Sequence, residues 1–140
     1  IALGISNQTK NRVFCFDGDG SIIMNMGSLG IIGKFSTGNF IHVLFNNGAH
    51  ESVGGQKTLG ENISFEKLSL SLGYKKYFNV SNAKDLNVLF KGINTITQFP
   101  IFIEIKIDAS SRKDLGRPEE GPKEQKQEFL SFLKNLKFWV

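Results

Sequence analysis

Apolar runs and glycine-rich or amphipathic segments alternate along the whole chain. Short runs rich in β-branched and aromatic residues predict buried strands at 12–16, 40–45, 76–80 and 101–107. In the last of these runs apolar and polar residues alternate near the end, which predicts a position toward a sheet edge. Apolar spacing typical of helices predicts four of them, at 22–35, 65–72, 83–95 and 123–137. Gly73 is the expected stop of the second predicted helix, and Ser81 is the expected N-cap of the third.

The regular alternation of strands and helices predicts the fold class. Such chains build an α/β doubly wound, mostly parallel sheet with helices on both faces. Ligands of these folds bind at the carboxyl ends of the strands. Two unusual loops, 18–21 and 46–60, follow predicted strands. We therefore expect both loops to face one site.

Composition narrows the classes of protein that this chain could represent. With 140 residues, 40% of them hydrophobic, the chain is expected to form one packed domain. No apolar run approaches about 18 residues, so no membrane span is expected. A net charge of +4 with scattered Lys and Arg does not favour nucleic-acid binding. The single cysteine, Cys15, excludes an internal disulfide and favours a cytoplasmic setting.

The most informative motif is Gly18-Asp19-Gly20-Ser21, which follows a predicted strand and opens a helix. Glycines let a ligand approach the backbone, and free N–H groups at a helix start suit phosphate. The Asp19 carboxylate would repel phosphate unless a cation lay between them. After 25 further residues, Asn46-Asn47 follows the next strand and offers an amide oxygen. Asp19, Asn47, a backbone carbonyl and diphosphate oxygens would together form an octahedral Mg²⁺ site.

Three other interpretations compete for these residues. Asp-Gly and Asn-Gly are common turn dipeptides with no further role. A calcium-binding loop starting at Asp17 is excluded, because its sixth position is Ile22 and its twelfth is Ser28. A haloacid-dehalogenase-like phosphatase would use Asp17 as its nucleophile, although Asn46-Asn47 stands at the next strand end and the acidic pair of that family is absent.

The Gly-Asp-Gly, 25-residue, Asn-Asn arrangement resembles the thiamine-diphosphate motif of thiamine-dependent enzymes. Three further segments resemble the phosphonopyruvate decarboxylase family, at 24–29, 46–56 and 111–118. The resemblance implies Mg²⁺- and thiamine-diphosphate-dependent decarboxylation of 3-phosphonopyruvate to phosphonoacetaldehyde and CO₂, in phosphonate biosynthesis. Sulfopyruvate decarboxylase-type and acetolactate synthase-type enzymes are the alternatives within the same superfamily.

The same resemblance implies a role for individual residues. It assigns Mg²⁺ to the side chains of Asp19 and Asn47 and the carbonyl of Ala49. It assigns the diphosphate to Gly18, Gly20 and Ser21. It leaves a catalytic or substrate-binding role for His50, and substrate contacts for Gln56 and Arg112.

The resemblance also implies that the chain is only part of an active site. It covers the diphosphate-binding domain, residues 1–140, and lacks that domain's first elements. The aminopyrimidine-binding domain, which supplies the activating glutamate, is expected on the same chain or on a partner. We therefore expect a homo-oligomer, at least a dimer, that acts on a small 2-oxo acid, and no turnover by these 140 residues alone.

Overall fold

A computed structural model describes residues 1–110, 114–116 and 118–135. The chain separates into two compact units, Ile1–Ala109 and Ser110–Val140. The strands, all in the first unit, are β1 (Val13–Gly18), β2 (Phe40–Asn46), β3 (Ala49–His50), β4 (Gln56–Lys57), β5 (Lys76–Val80) and β6 (Ile101–Lys106). The α-helices are α1 (Ala2–Ser6), α2 (Asp19–Met24), α3 (Gly27–Phe35), α4 (Phe65–Ser71), α5 (Ala83–Gly92) and, in the second unit, α6 (Pro122–Asn135).

Four of the strands form one parallel sheet in the order β1-β2-β6-β5. Alternate residues of β2 enter two separate cores because successive side chains of a strand point to opposite faces. Phe40 and Leu44 pack with residues of α2, α3 and α4 on one face. Ile41 and Val43 pack against the face that α5 covers. The predicted α/β class with a parallel sheet and helices on both faces is confirmed.

The predicted edge position of the last strand is wrong. β6 pairs with β2 on one side and with β5 on the other, so it is an interior strand. Its alternation comes from Lys106, which is exposed, and from Glu104, which is 3% exposed and accepts hydrogen bonds from polar neighbours. A buried polar residue therefore mimicked the pattern of a solvent-facing edge.

The predicted helix over 22–35 is two helices. α2 starts earlier, at Asp19, and the chain leaves helical geometry at Asn25, where φ is −124° and ψ is 37°. The Ser28 hydroxyl donates to the Asn25 carbonyl at 2.8 Å, across the break between the two helices. Ser and Asn side chains compete with helical backbone bonds in this way.

The remaining helix boundaries are close to those predicted, with one correction. Gly73 follows α4 with φ +103°, as expected of a helix stop. The N-cap of α5 is Asn82, whose side-chain oxygen accepts from the Asp85 N–H at 2.9 Å, and not Ser81. The predicted end of the last helix, 136–137, lies outside the described residues. Within the described ranges, no helix has the length and apolar character to cross a membrane.

Candidate cofactor site

Three chain segments meet at the carboxyl edge of the sheet. β1 ends at Gly18 and β2 ends at Asn46, and the strands are paired up to Gly18 and Phe45. Asp19 begins α2 and is 1% exposed. Its carboxylate accepts a hydrogen bond from the Thr58 hydroxyl. The loop after β1 and the loop after β2 therefore do face one site.

Two side-chain oxygens converge beside Gly60. A Cβ built on Gly60 would lie 2.5 Å from Asp19 Oδ2 and 2.6 Å from Asn46 Oδ1, so only glycine fits there. The Gly60 carbonyl accepts from Asn46 Nδ2 at 2.9 Å, and Asn46 Nδ2 also donates to Glu104 at 2.7 Å. Asn46 thus holds the 58–60 segment against Asp19. This structural role of the first asparagine of the pair was not predicted.

The predicted ligand Asn47 is half-buried and stands in a tight turn. Its side-chain oxygen accepts from the Ala49 N–H at 3.1 Å, and its Nδ2 donates to Glu51 at 3.2 Å. Such an Asx turn orients the carboxamide locally. Ala49 follows in β3, which pairs with Lys57 of β4 to form a short antiparallel hairpin.

His50 lies directly against the glycine turn. A Cβ on Gly20 would overlap the His50 imidazole, so the absence of a side chain at Gly20 permits this contact. A Cβ on Gly18 would meet no atom within 4 Å, so the backbone there is open to a ligand. Gln56 pairs with His50 across the hairpin but its side chain is exposed. Arg112 lies outside the described residues.

The side chains of Ser21 and Asp17 form a hydrogen bond with each other and do not point into the glycine turn. The exposed Ser21 hydroxyl donates to Asp17 Oδ1 at 3.2 Å. A hydrogen bond from His42 lowers the pKa of Asp17, and the bond from Ser21 acts in the same direction. Asp17 is therefore an ionised carboxylate that accepts hydrogen bonds from its neighbours. Because the Ser21 hydroxyl is used in this way, Ser21 has only its backbone N–H to offer a diphosphate.

Glu104 is a buried carboxylate that the sequence analysis did not single out. It accepts from the Tyr77 hydroxyl and from Lys106 Nζ, the latter at 2.7 Å. A cavity of about 450 Å³ beside it is lined by Tyr77, Asn79 and Lys106, among others. Burial, followed by the bond to Glu104, raises the pKa of Tyr77 above its ordinary range. A lone Glu within an apolar strand was the available signal.

The chemistry of this edge fits a phosphate-bound divalent cation. The Asp19 carboxylate is buried, yet it forms no ion pair with any described residue. The ion pairs His42–Asp17 and Lys106–Glu104 both involve other carboxylates. A buried charge without a counter-charge is costly, and a cation supplies that counter-charge. Oxygen donors of this kind suit Mg²⁺. The open backbone at Gly18 leaves room for the anionic group that such a cation would bridge.

Comparisons with known proteins point to thiamine diphosphate, the cofactor that the sequence motif implies. The family model "Thiamine pyrophosphate enzyme, C-terminal TPP binding domain" matches residues 1–105. The chain is 32% identical over 95% of its length to the phosphonopyruvate decarboxylase of Streptomyces viridochromogenes, and 33% identical over 94% to that of Streptomyces hygroscopicus. It is 42% identical over 52% of its length to sulfopyruvate decarboxylase subunit beta of Methanocaldococcus jannaschii, and covers 39% of that protein. The chain spans about a third of each phosphonopyruvate decarboxylase, 33% in both cases.

Proposed function

This chain belongs to the thiamine pyrophosphate enzymes as their C-terminal cofactor-binding domain, and from that premise we propose that it serves a 2-oxo acid decarboxylase. Its cofactor is thiamine diphosphate, which supplies the electron sink for the loss of CO₂. The observation that carries the proposal is the buried Asp19 carboxylate beside open glycine backbone. The thiamine family accounts for this arrangement, and none of the relatives named above is a phosphatase.

Within this proposal, each predicted site residue has a separate task. The side chains of Asp19 and Asn47 and the Ala49 carbonyl hold Mg²⁺. The backbone of the turn receives the diphosphate, at Gly18, Gly20 and Ser21. Positioning of this kind lowers a reaction barrier by several kcal/mol, because the entropy of orientation is lost before the chemical step.

We propose 3-phosphonopyruvate as the substrate, with phosphonoacetaldehyde and CO₂ as products. Similarity to phosphonopyruvate decarboxylases extends over 95% of this chain, whereas that to the Methanocaldococcus sulfopyruvate decarboxylase subunit covers 52%. Sulfopyruvate is the second candidate, since a further sulfopyruvate decarboxylase, from Methanosarcina acetivorans, is 27% identical over 99% of the chain. Both acids carry an anionic head group on the same three-carbon skeleton.

The first experiment tests Asp19 in the complete protein by calorimetry. Asp19→Asn preserves the shape of the side chain and its acceptor for Thr58, but removes the charge. We expect Mg²⁺-dependent binding of thiamine diphosphate to weaken at least about 100-fold, because loss of an outer partner of a metal ligand already costs 10–100-fold and Asp19 is proposed as a ligand itself. The control is Asp108→Asn, an exposed carboxylate that should change nothing. Unchanged binding by Asp19→Asn would contradict the assignment.

The second experiment addresses the substrate through His50. The complete enzyme should prefer phosphonopyruvate over pyruvate by roughly 100-fold or more in kcat/KM, because donors built for an anionic head remain unpaired with pyruvate. His50→Ala should reduce the phosphonopyruvate rate more than the pyruvate rate. Equal losses would assign His50 to the cofactor or the fold. Arg112 is the other candidate for the head group, and sulfopyruvate is the third acid to assay.

The site for the aminopyrimidine end of the cofactor is also a proposal. We propose that the aminopyrimidine of the cofactor is held by a second domain, on the same chain or on a partner, within an oligomer. The relatives named as a sulfopyruvate decarboxylase subunit beta are consistent with a separate partner chain in that group. We expect no turnover by the 140 residues alone, and turnover once this chain is mixed with that domain.

A further inference from the structure

A polar cluster lies between the sheet and the helices that cover it, next to the start of α2. His42 of β2 is 2% exposed, and its Nε2 lies 2.8 Å from Asp17 Oδ2. Its other nitrogen, Nδ1, lies 2.8 Å from the Tyr74 hydroxyl. Cys15 is two residues before Asp17 on β1 and shares its face, with Sγ 3.7 Å from the same Oδ2. Three types of metal-binding atom therefore converge at one point.

The distances among these atoms suit a tetrahedral metal. One ligand atom from each of Cys15, Asp17 and His42 lies within 4.8 Å of the others. Zinc bonds of about 2.0 Å to N and O and about 2.3 Å to S place sulfur and oxygen ligands about 3.5 Å apart. The observed separation of 3.7 Å is close to that value. The Nε2–Oδ2 pair, now 2.8 Å apart, has to open by about half an ångström to admit the ion.

We propose that Cys15, Asp17 and His42 form a second metal site that takes a borderline divalent ion of the Zn²⁺ class. Thiolate and imidazole ligands select such ions over Mg²⁺. The fourth position is open to water, because cavities of about 220 and 460 Å³ both border Asp17. The ion would connect β1 to β2 directly beneath the turn that leads to Asp19.

The surrounding groups support these three ligands. With the ion on Nε2, His42 carries its proton on Nδ1 and donates it to the Tyr74 oxygen. Such an outer partner fixes the orientation of a ligating imidazole. The Ser21 hydroxyl donates to Asp17 Oδ1, which leaves Oδ2 for the ion. The Mg²⁺ proposed at Asp19 is separate, because that carboxylate bonds to Thr58 instead.

Binding at this site exchanges a proton for the ion. Burial, followed by the neighbouring Asp17 charge, raises the pKa of the Cys15 thiol to about 11. When the ion enters, the metal–sulfur bond forms, the S–H bond breaks, and the proton passes to solvent without any change of oxidation state.

Co²⁺ titration of the complete protein tests the proposal, because a thiolate bound to Co²⁺ has its own ultraviolet charge-transfer band. The titration is done with Mg²⁺ in excess, so that oxygen-only sites are filled. We expect one equivalent of Co²⁺ to produce the band, and Zn²⁺ to remove it by displacement. The band should disappear in Cys15→Ser and persist in Asp19→Asn. Tyr74→Phe should keep the band but weaken Co²⁺ affinity about tenfold, as expected of a positioning partner.

The opposite results are equally clear. No band, a band that survives Cys15→Ser, or a band abolished by Asp19→Asn would overturn the site. If Cys15→Ser does not fold, alkylation of Cys15 in the unmodified protein replaces it, followed by mass spectrometry. Zn²⁺ should slow that alkylation at least tenfold while Mg²⁺ does not, and equal rates would contradict the proposal. Thiamine-diphosphate binding with Mg²⁺ alone is measured in parallel, so that failure here is distinguished from failure of the proposed function.

Discussion

At the scale of single residues, the candidate site depends on missing side chains as much as on present ones. Gly60 allows two oxygens to converge, and Gly20 allows the His50 ring to lie on the backbone. Gly18, by contrast, has open space where a Cβ would point. Gly18 and Gly20, two glycines of one motif, thus meet different demands, access to a ligand for Gly18 and packing against His50 for Gly20.

Gly20→Ala should therefore destabilise the protein by about 1–3 kcal/mol, because the new methyl group overlaps the His50 imidazole. Gly18→Ala is the matched control and should cost less, about 0.5–1 kcal/mol, since a Cβ at Gly18 has free space and Ala is only a poorer N-cap than Gly. Denaturant unfolding measures both values.

The double variant Gly20→Ala with His50→Ala separates overlap from backbone strain. If overlap is the cause, removing the ring should recover most of the lost stability, which gives a coupling of about 1 kcal/mol or more. Additive effects of the two substitutions would show that His50 does not restrict the residue at Gly20.

At the scale of secondary structure, helix starts are set by which side chain reaches the free N–H groups. Ser81 and Asn82 are both good N-cap types, and they are adjacent in the sequence. In the structure Asn82 has φ −152° and ψ 160°, the extended geometry of an N-cap. Its Nδ2 also donates to the Asp85 carboxylate at 2.7 Å, so two bonds favour Asn82.

We expect Asn82→Ala to lower the free energy of unfolding by about 1 kcal/mol, because the Asp85 N–H loses its acceptor. Ser81→Ala should change it by less than about 0.5 kcal/mol, as for an ordinary surface position. Thermal or urea unfolding of the two variants compares them directly. A larger loss for Ser81→Ala would restore the boundary that the sequence predicts.

The packing of α3 against the end of α4 depends on the close approach of one glycine. A Cβ on Gly33 of α3 would overlap the Leu72 carbonyl that ends α4. The next residue, Gly73, has φ +103° and turns the chain toward β5. A glycine of one helix therefore packs against the end of another within the first unit, which brings Leu29 and Phe65 into one core.

At the scale of the first unit, burial of polar groups couples stability to pH. The chain has two tyrosines, Tyr74 and Tyr77, and burial is the largest cause that raises the pKa of each above its ordinary range. Both phenols are thus neutral in the folded protein when an unfolded chain would already ionise. Because the unfolded state releases these protons first, folding stability should fall as pH rises above about 10.

Alkaline titration of phenolate absorbance tests this coupling. The signal should rise only together with loss of near-ultraviolet circular dichroism, whereas the urea-unfolded chain should titrate near pH 10. Tyr77→Phe should reduce the pH dependence of stability in this range, because one of the two groups is gone. Phenolate formation near pH 10 in a protein with an intact dichroism signal would contradict the burial argument.

The sequence by itself determined the local elements and the cofactor motif. The alternation of apolar runs predicted the strand Lys76–Val80 with its observed bounds, because a short apolar run between polar residues has few other solutions. Gly18-Asp19-Gly20 and Asn46-Asn47 could be recognised because the chemistry of a metal-bound diphosphate restricts residue type at a fixed spacing. The thiamine-binding family followed from that motif and was confirmed.

Only the tertiary structure decided which residues meet across the sheet. The interior position of β6, the link from Asn46 to Glu104, and the contact of His42 with Asp17 join residues 25 to 60 positions apart. Hydrophobic periodicity reports whether a side chain is buried, but not which strand is its neighbour. A buried Glu or His inside an apolar strand is therefore visible in the sequence, whereas the partner that neutralises it is chosen by strand order.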